Sequence, residues 1–221
     1  MSWVSTQQYY RYINQFVNQS RGRQHSAPLF IGSVNFQDIV NAQNRGDWQA
    51  AGDILAVCAR ELEAAGCTAF LIASNTMHLV YQHTQKAVDM PGINIFDATA
   101  AAINASNHKK FALLGTRYTM SDPFFREAYL SRGVDIIVPE KDDAHALNEI
   151  IFKELIHEVI RPESKTICQN MVERLKARGA DAVILGCTEI EWILKPADVS
   201  LPLFDTTKLH AKAAADWLLA P

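Results

Sequence analysis

Two short segments of this chain carry residue types whose placement suggests acid–base chemistry. The first is VILGCTE (183–189), in which Cys187 follows an apolar run directly and Thr188 and Glu189 open what reads as the next helix. A thiol at a helix N-terminus gains thiolate character from the helix dipole, so a lowered pKa is expected for Cys187. The second is SNTMH (74–78), where Ser74, Asn75 and Thr76 place short polar side chains at another strand exit. Such residues cap helices, and a helix start also offers backbone N–H groups to a carboxylate. Thr188 and, in LLGTRYT, Thr116 stand at comparable positions. His78 and Glu189 lie just beyond the two exits, where they could support the chemistry or simply hold structure.

The elements that must position these groups alternate between helical and strand patterns, which predicts an α/β fold with parallel sheets flanked by helices. Buried-strand runs are read at CTAFLIA (67–73), INIF (93–96), FALLG (111–115), VDIIV (134–138), DAVILG (181–186) and LPLF (201–204). Helical spacing covers 47–65, 141–160, 164–178 and 206–219. The chain also repeats itself. ELEAAGCTAFLIASNTMH (61–78) aligns with RLKARGADAVILGCTEIE (174–191) at a shift of 113, which sets Ser74 opposite Cys187 and Asn75 opposite Thr188. Further on, NIFDAT (94–99) matches PLFDTT (202–207) at a shift of 108, with Asp97 and Asp205 read as helix caps. Two pseudo-symmetric lobes follow, residues 1–98 with 206–221 and residues 99–205. Ligands of parallel sheets bind beyond the strands' carboxyl ends, so the site is expected in the cleft between the lobes.

The bulk numbers exclude several classes. A formal net charge of −3 offers no basic field for nucleic acid or an anionic membrane. No apolar run approaches the roughly 20 residues of a membrane helix. The polar, aromatic start MSWVSTQQYY does not read as a secretory signal, and unpaired thiols fit a reducing cytoplasm. Cys58, Cys67 and Cys168 lie in helical or strand patterns and are read as core. Phosphate-binding glycine loops, HExxH and GxSxG are missing from the sequence, and no metal-ligand spacing is found.

SVNF (33–36), SNTMH, LLGTRYTM (113–120), IVPE (137–140), VILGCTE and PLFDTT together resemble the aspartate/glutamate racemases, in order and over nearly the whole chain. The resemblance implies a homodimer that racemises an acidic amino acid, aspartate or glutamate, without pyridoxal phosphate or metal. It implies two catalytic residues, Cys187 and Ser74, one on each face of the substrate's α-carbon. By the same resemblance Asn75, Thr76, Thr116 and Thr188 hold the substrate's carboxylates, and Arg161 or Lys165 is the candidate cation for its side chain. Two departures stand out. Ser74 occupies the place of the family's usual first cysteine, and a hydroxyl is a far poorer acid or base than a thiol. Since the second cysteine serves the L-enantiomer in the family, a lopsided enzyme working better from the L side is expected. The opening strand that precedes MSWVST in relatives is also missing, which predicts exposed apolar edges in the first lobe. The alternatives are a sibling enzyme (hydantoin racemase, maleate isomerase or decarboxylase) and a catalytically impaired amino-acid-binding protein.

Overall fold

The computed structural model describes residues 1–220, which divide into two compact units: Met1–Ile95 with the chain from His210 onward, and Phe96–Leu209.

In the first unit, α1 (Trp3–Arg21) starts where the Ser2 side chain accepts the Ser5 N–H at 3.0 Å. Asn35 and Asp47 cap α2 (Phe36–Asn44) and α3 (Trp48–Ala64) in the same way, each satisfying a backbone donor that the first helical turn leaves open. α3 buries Ala51, Leu55 and Ala59, one helical face at four-residue spacing. At its end Gly66 takes φ +89°, a left-handed conformation that suits glycine. The chain then enters β1 (Phe70–Leu71), a 3-10 turn over Thr76–Val80, α4 (Tyr81–Gln85) and β2 (Gly92–Ile93). β1 and β2 pair in parallel, Phe70 with Gly92 and Leu71 with Ile93, and form a sheet of two strands. Only two residues of the expected run 67–73 enter the ladder, because β1 has a neighbour on one side alone.

α5 (Ile95–Asn104) leads into the second unit. There follow β3 (Lys110–Gly115), α6 (Arg117–Ser121), α7 (Pro123–Leu130), β4 (Asp135–Ile137), α8 (Lys141–Lys153), α9 (Pro162–Ala177), β5 (Ala182–Gly186), α10 (Ile190–Ile193) and β6 (Leu203–Asp205). α11 (Thr206–Leu219) returns the chain to the first unit. The four strands form a parallel sheet in the order β4-β3-β5-β6. β5 is buried at every residue and β3 from Phe111 to Gly115, which is why these segments are continuous apolar runs rather than alternating ones. Leu114, Leu185, Leu147, Ile151, Met171 and Val172 share one core cluster on this sheet. At about 25 cal/mol per Å2, each such side chain contributes roughly 1.5–3 kcal/mol.

The internal repeat is a structural one, with a correction. α3–Gly66–β1 matches α9–Gly179–β5, and Gly179 shares the positive φ at +94°. The second half of the repeat, however, does not follow FDxT. Val183 pairs with Leu203 and its counterpart Phe70 pairs with Gly92, so the two copies align at 111 and not at 108. Asp205 therefore ends a strand, while Asp97 lies in the first turn of α5 and pairs with Arg132 at 2.7 Å instead of capping. The phenylalanine–aspartate match is a similarity of composition that the ladder register overrides.

Candidate active site

The site in the second unit is built on two glycines. Gly115 and Gly186 are cross-strand partners at the carboxyl ends of β3 and β5. A Cβ on Gly115 would lie 3.0 Å from the Gly186 carbonyl oxygen, and one on Gly186 would lie 2.9 Å from that of Leu114. Side chains are excluded at this level, and the next residues along the two strands, Thr116 and Cys187, stand side by side as the first groups beyond the sheet.

Cys187 is buried, at 9% exposure, and its Sγ–H donates to Glu189 Oε2 at 3.0 Å. The Thr188 hydroxyl donates to the same oxygen at 2.5 Å. The expected low thiol pKa is not found. Burial pushes the thiol well above its ordinary value, and the neighbouring Glu189 carboxylate raises it further by its charge and by accepting the S–H. The helix beyond is four residues long and begins only at Ile190, too short for the dipole on which a stabilised thiolate would depend. What the geometry supplies in its place is a proton acceptor in direct contact with the thiol.

Thr116, also buried, caps α6. Its Oγ1 accepts the Thr119 N–H at 3.4 Å and shares a hydrogen bond with the Thr119 hydroxyl at 3.1 Å. Thr188 commits its hydroxyl proton to Glu189, so this side chain orients the carboxylate as well as lining the exit. The two candidate cations already hold carboxylates, Lys165 with Asp198 at 2.8 Å and Arg161 with Glu154 at 3.9 Å. Lys165 also helps to hold the Asp198 carboxyl below its usual range.

An acid pair, buried Glu191 and half-buried Asp205, escaped the sequence reading. Burial pushes the Asp205 carboxyl up to about 8, helped by its hydrogen bond to Glu191 and by that neighbour's charge. Asp205 also accepts the N–H groups of Thr207 and Lys208, so it caps α11 as expected. Both residues were visible as the second acid of GCTEIE and the acid of FDTT; only the fold brings them together.

In the first unit, Ser74 stands at the β1 exit, less buried than Asn75 and Thr76 behind it. Its N–H reaches the Ile72 carbonyl at 2.7 Å, and its Oγ accepts the Met77 N–H at 3.3 Å. His78 is 1% exposed. Its Nε2 accepts the Ile95 N–H at 3.1 Å, so the proton must sit on Nδ1, which donates to the Ser74 carbonyl at 2.7 Å. His78 thereby clamps the strand exit to the start of α5 as a neutral imidazole, a structural support with both nitrogens engaged. Further along, His210 donates Nε2–H to the Ile93 carbonyl at 2.7 Å and accepts the Tyr9 hydroxyl at Nδ1, 2.8 Å away. Burial drives its pKa down to about 4.

Cys168 is fully buried and its thiol is raised to about 12, mainly by burial, while Cys58 and Cys67 are half-buried. Among the described residues no group of three His, Cys, Asp or Glu gathers to hold a metal ion, and no helix is long and apolar enough to cross a membrane.

Comparison with known proteins agrees with this architecture. The Asp/Glu/Hydantoin racemase family profile matches residues 1–214. The broad specificity amino-acid racemase RacX of Bacillus subtilis (strain 168) is 26% identical over 163 residues, 72% of this chain and 69% of its own. The crystal structure of a provisionally assigned Asp/Glu racemase from Yersinia pestis superposes with a TM-score of 0.92 at 41% identity, covering 100% of this chain and 96% of that one. That of an aspartate racemase homologue from Pyrococcus horikoshii OT3 gives 0.84 at 31% identity, over 98% and 94% of the two chains. The chain belongs to the Asp/Glu/Hydantoin racemase family.

Proposed function

We propose that this protein is a cofactor-independent amino-acid racemase acting on an acidic amino acid, with Cys187 as its principal base and Ser74 as a weaker counterpart. The observation that carries the reading is the Cys187–Glu189 contact at the carboxyl end of β5, where a buried thiol meets a carboxylate positioned to take its proton. Family membership and the resemblance of the strand-exit motifs support the reaction type.

In this reading substrate binding moves the thiol proton to Glu189 and leaves a thiolate. The thiolate removes the α-proton of the L-enantiomer, and the electron pair passes into the substrate's α-carboxylate. Thr116 and the Asn75–Thr76 turn hold the substrate's carboxylates. A proton reaches the opposite face from Ser74, directly or through a water it holds. Exchange of Cys187 and Ser74 with solvent resets both groups. A serine hydroxyl is a poor acid, so deuterium enters at Cα faster than the product enantiomer accumulates, and the L side leads.

NMR of Cα–H exchange in D2O, run separately on L- and D-aspartate and L- and D-glutamate, tests this. Exchange favouring an L-enantiomer, lost in Cys187→Ala and more symmetric in Ser74→Cys, is the expected outcome. Folded protein that exchanges none of the four substrates refutes the assignment.

A further inference from the structure

Three consecutive side chains beyond β5 meet at a single oxygen atom. The turn that carries them is closed by the Ile190 N–H on the Cys187 carbonyl at 3.2 Å. Within it Glu189 takes right-handed backbone angles, φ −86° and ψ −19°, and its carboxylate folds back to residue 187. Glu189 Oε2 then receives two donors, the Cys187 Sγ–H at 3.0 Å and the Thr188 hydroxyl at 2.5 Å. Thr188 and Glu189 are only 5% and 4% exposed, so bulk water has little access to replace either donor.

The two contacts are unequal. An O–H···O bond of this length to a carboxylate belongs to the short, charge-assisted class, whereas a thiol is a weak donor. The hydroxyl therefore stabilises negative charge on the oxygen that would receive the thiol proton. In that transfer the S–H bond breaks, its electron pair stays on sulfur, and an O–H bond forms at Oε2. Whatever Thr188 contributes to the carboxylate opposes the step. Threonine has one hydroxyl proton to donate, however, and an arriving carboxylate competes for it.

We propose that Thr188 is a positioning residue that keeps the shared proton on the Cys187 sulfur in the ligand-free protein, and that a carboxylate ligand at this strand exit frees the thiolate by drawing the Thr188 hydroxyl to itself. The lock stands on the geometry of the free site; its release by ligand rests on the acidic-amino-acid reading above.

Alkylation of each cysteine by iodoacetamide at pH 7, followed by mass spectrometry, tests the lock without turnover. The native protein is compared with Thr188→Val, which removes the hydroxyl, and Thr188→Ser, which restores it. Labelling of Cys187 rises about tenfold in the valine variant, the lower end of what loss of a hydrogen bond to a charged group changes in an equilibrium. The serine variant returns to the native rate. Cys168, fully buried, stays unlabelled wherever the fold is intact. Unchanged or slower labelling in folded Thr188→Val, or a serine variant that behaves like valine, overturns the lock. Thiolate absorbance at 240 nm, measured on the native protein against Cys187→Ala, tests the release and needs no threonine variant. It rises on addition of L-aspartate, L-glutamate or succinate, a dicarboxylate with no amino group. Cα–H exchange without any such rise overturns the release and leaves the racemase reading standing. A lock that holds in a folded protein with no exchange and no rise overturns both the release and that reading.

Discussion

Replacing Glu189 by Gln keeps the size of the side chain and removes the only change in charge. The consequence for the thiol can be worked from its surroundings. Burial is the largest cause of its raised pKa and persists in the variant, so Cys187 stays above its ordinary 9.0. At pH 7 no more than about 1% of such a thiol is ionised. In the proposed mechanism the neighbouring carboxylate, 3.0 Å away, takes the proton as substrate binds, so no solvent hydroxide is needed. The Gln variant must lose its proton to solvent. Loss of the positioned proton acceptor should lower Cα–H exchange from the L-enantiomer by about 100-fold at pH 7, the lower end of the range for loss of such an acid–base group. Exchange should then recover about tenfold per pH unit, while the native rate stays flat across the same neutral range. The assay is deuterium incorporation at Cα between pH 6 and 9, with substrate saturation checked at each point. A variant with native rate and a flat profile removes Glu189 from the mechanism. A uniform loss at every pH gives it a purely structural or substrate-holding role.

Other outcomes follow from the same geometry. His210 has a folded pKa near 4 against the ordinary 6.5, so its contribution is fully present above 6.5 and is lost as the pH falls towards 4. The destabilisation caused by His210→Phe should accordingly be about 2–3 kcal/mol smaller at pH 4.5 than at pH 7.5 in denaturant unfolding; an unchanged penalty refutes the buried neutral imidazole. Asp205 shifts the other way: its raised folded pKa, about 8, means that stability falls as the pH rises from about 4 to 8, and Asp205→Asn should flatten that slope. A slope equal to the native one would show that Asp205 does not hold the proton. Thr116→Ala removes a cap worth roughly 1 kcal/mol and a proposed substrate contact, so the unfolding midpoint should fall and KM should rise with kcat nearly kept. A loss in kcat alone would contradict a binding role.

The parts of this fold that show in the sequence are those fixed by burial on both faces. β3 and β5 appear as unbroken apolar runs, and α3 and α9 as helices closed by glycines in the left-handed region, because local chemistry and tertiary place demand the same residues there. The repeat through Ser74 and Cys187 is legible for the same reason. Its continuation misleads, since Phe96–Asp97 and Phe204–Asp205 share letters while one pair begins a helix and the other ends a strand. Sequence spacing finds the thiol but not its electrostatics: whether Cys187 meets a helix dipole or a carboxylate depends on how far the following turn extends before α10 begins. Glu191 and Asp205 lie 14 positions apart, and only the pairing of β5 with β6 makes them one acid pair.

The backbone anchoring of Ser74 has a consequence for how such a residue changes over time. Its carbonyl is gripped by His78 and its N–H by Ile72, while the hydroxyl contributes one long contact to the Met77 N–H. The position is thus an interchangeable socket, fixed in space by its main chain and almost indifferent to what the main chain carries. A serine, threonine or cysteine can be exchanged there without disturbing the scaffold. If Ser74 acts as proposed, acid–base strength on one face of the substrate can then drift, or be set by design, independently of folding, and reaction symmetry becomes a property that a single codon adjusts.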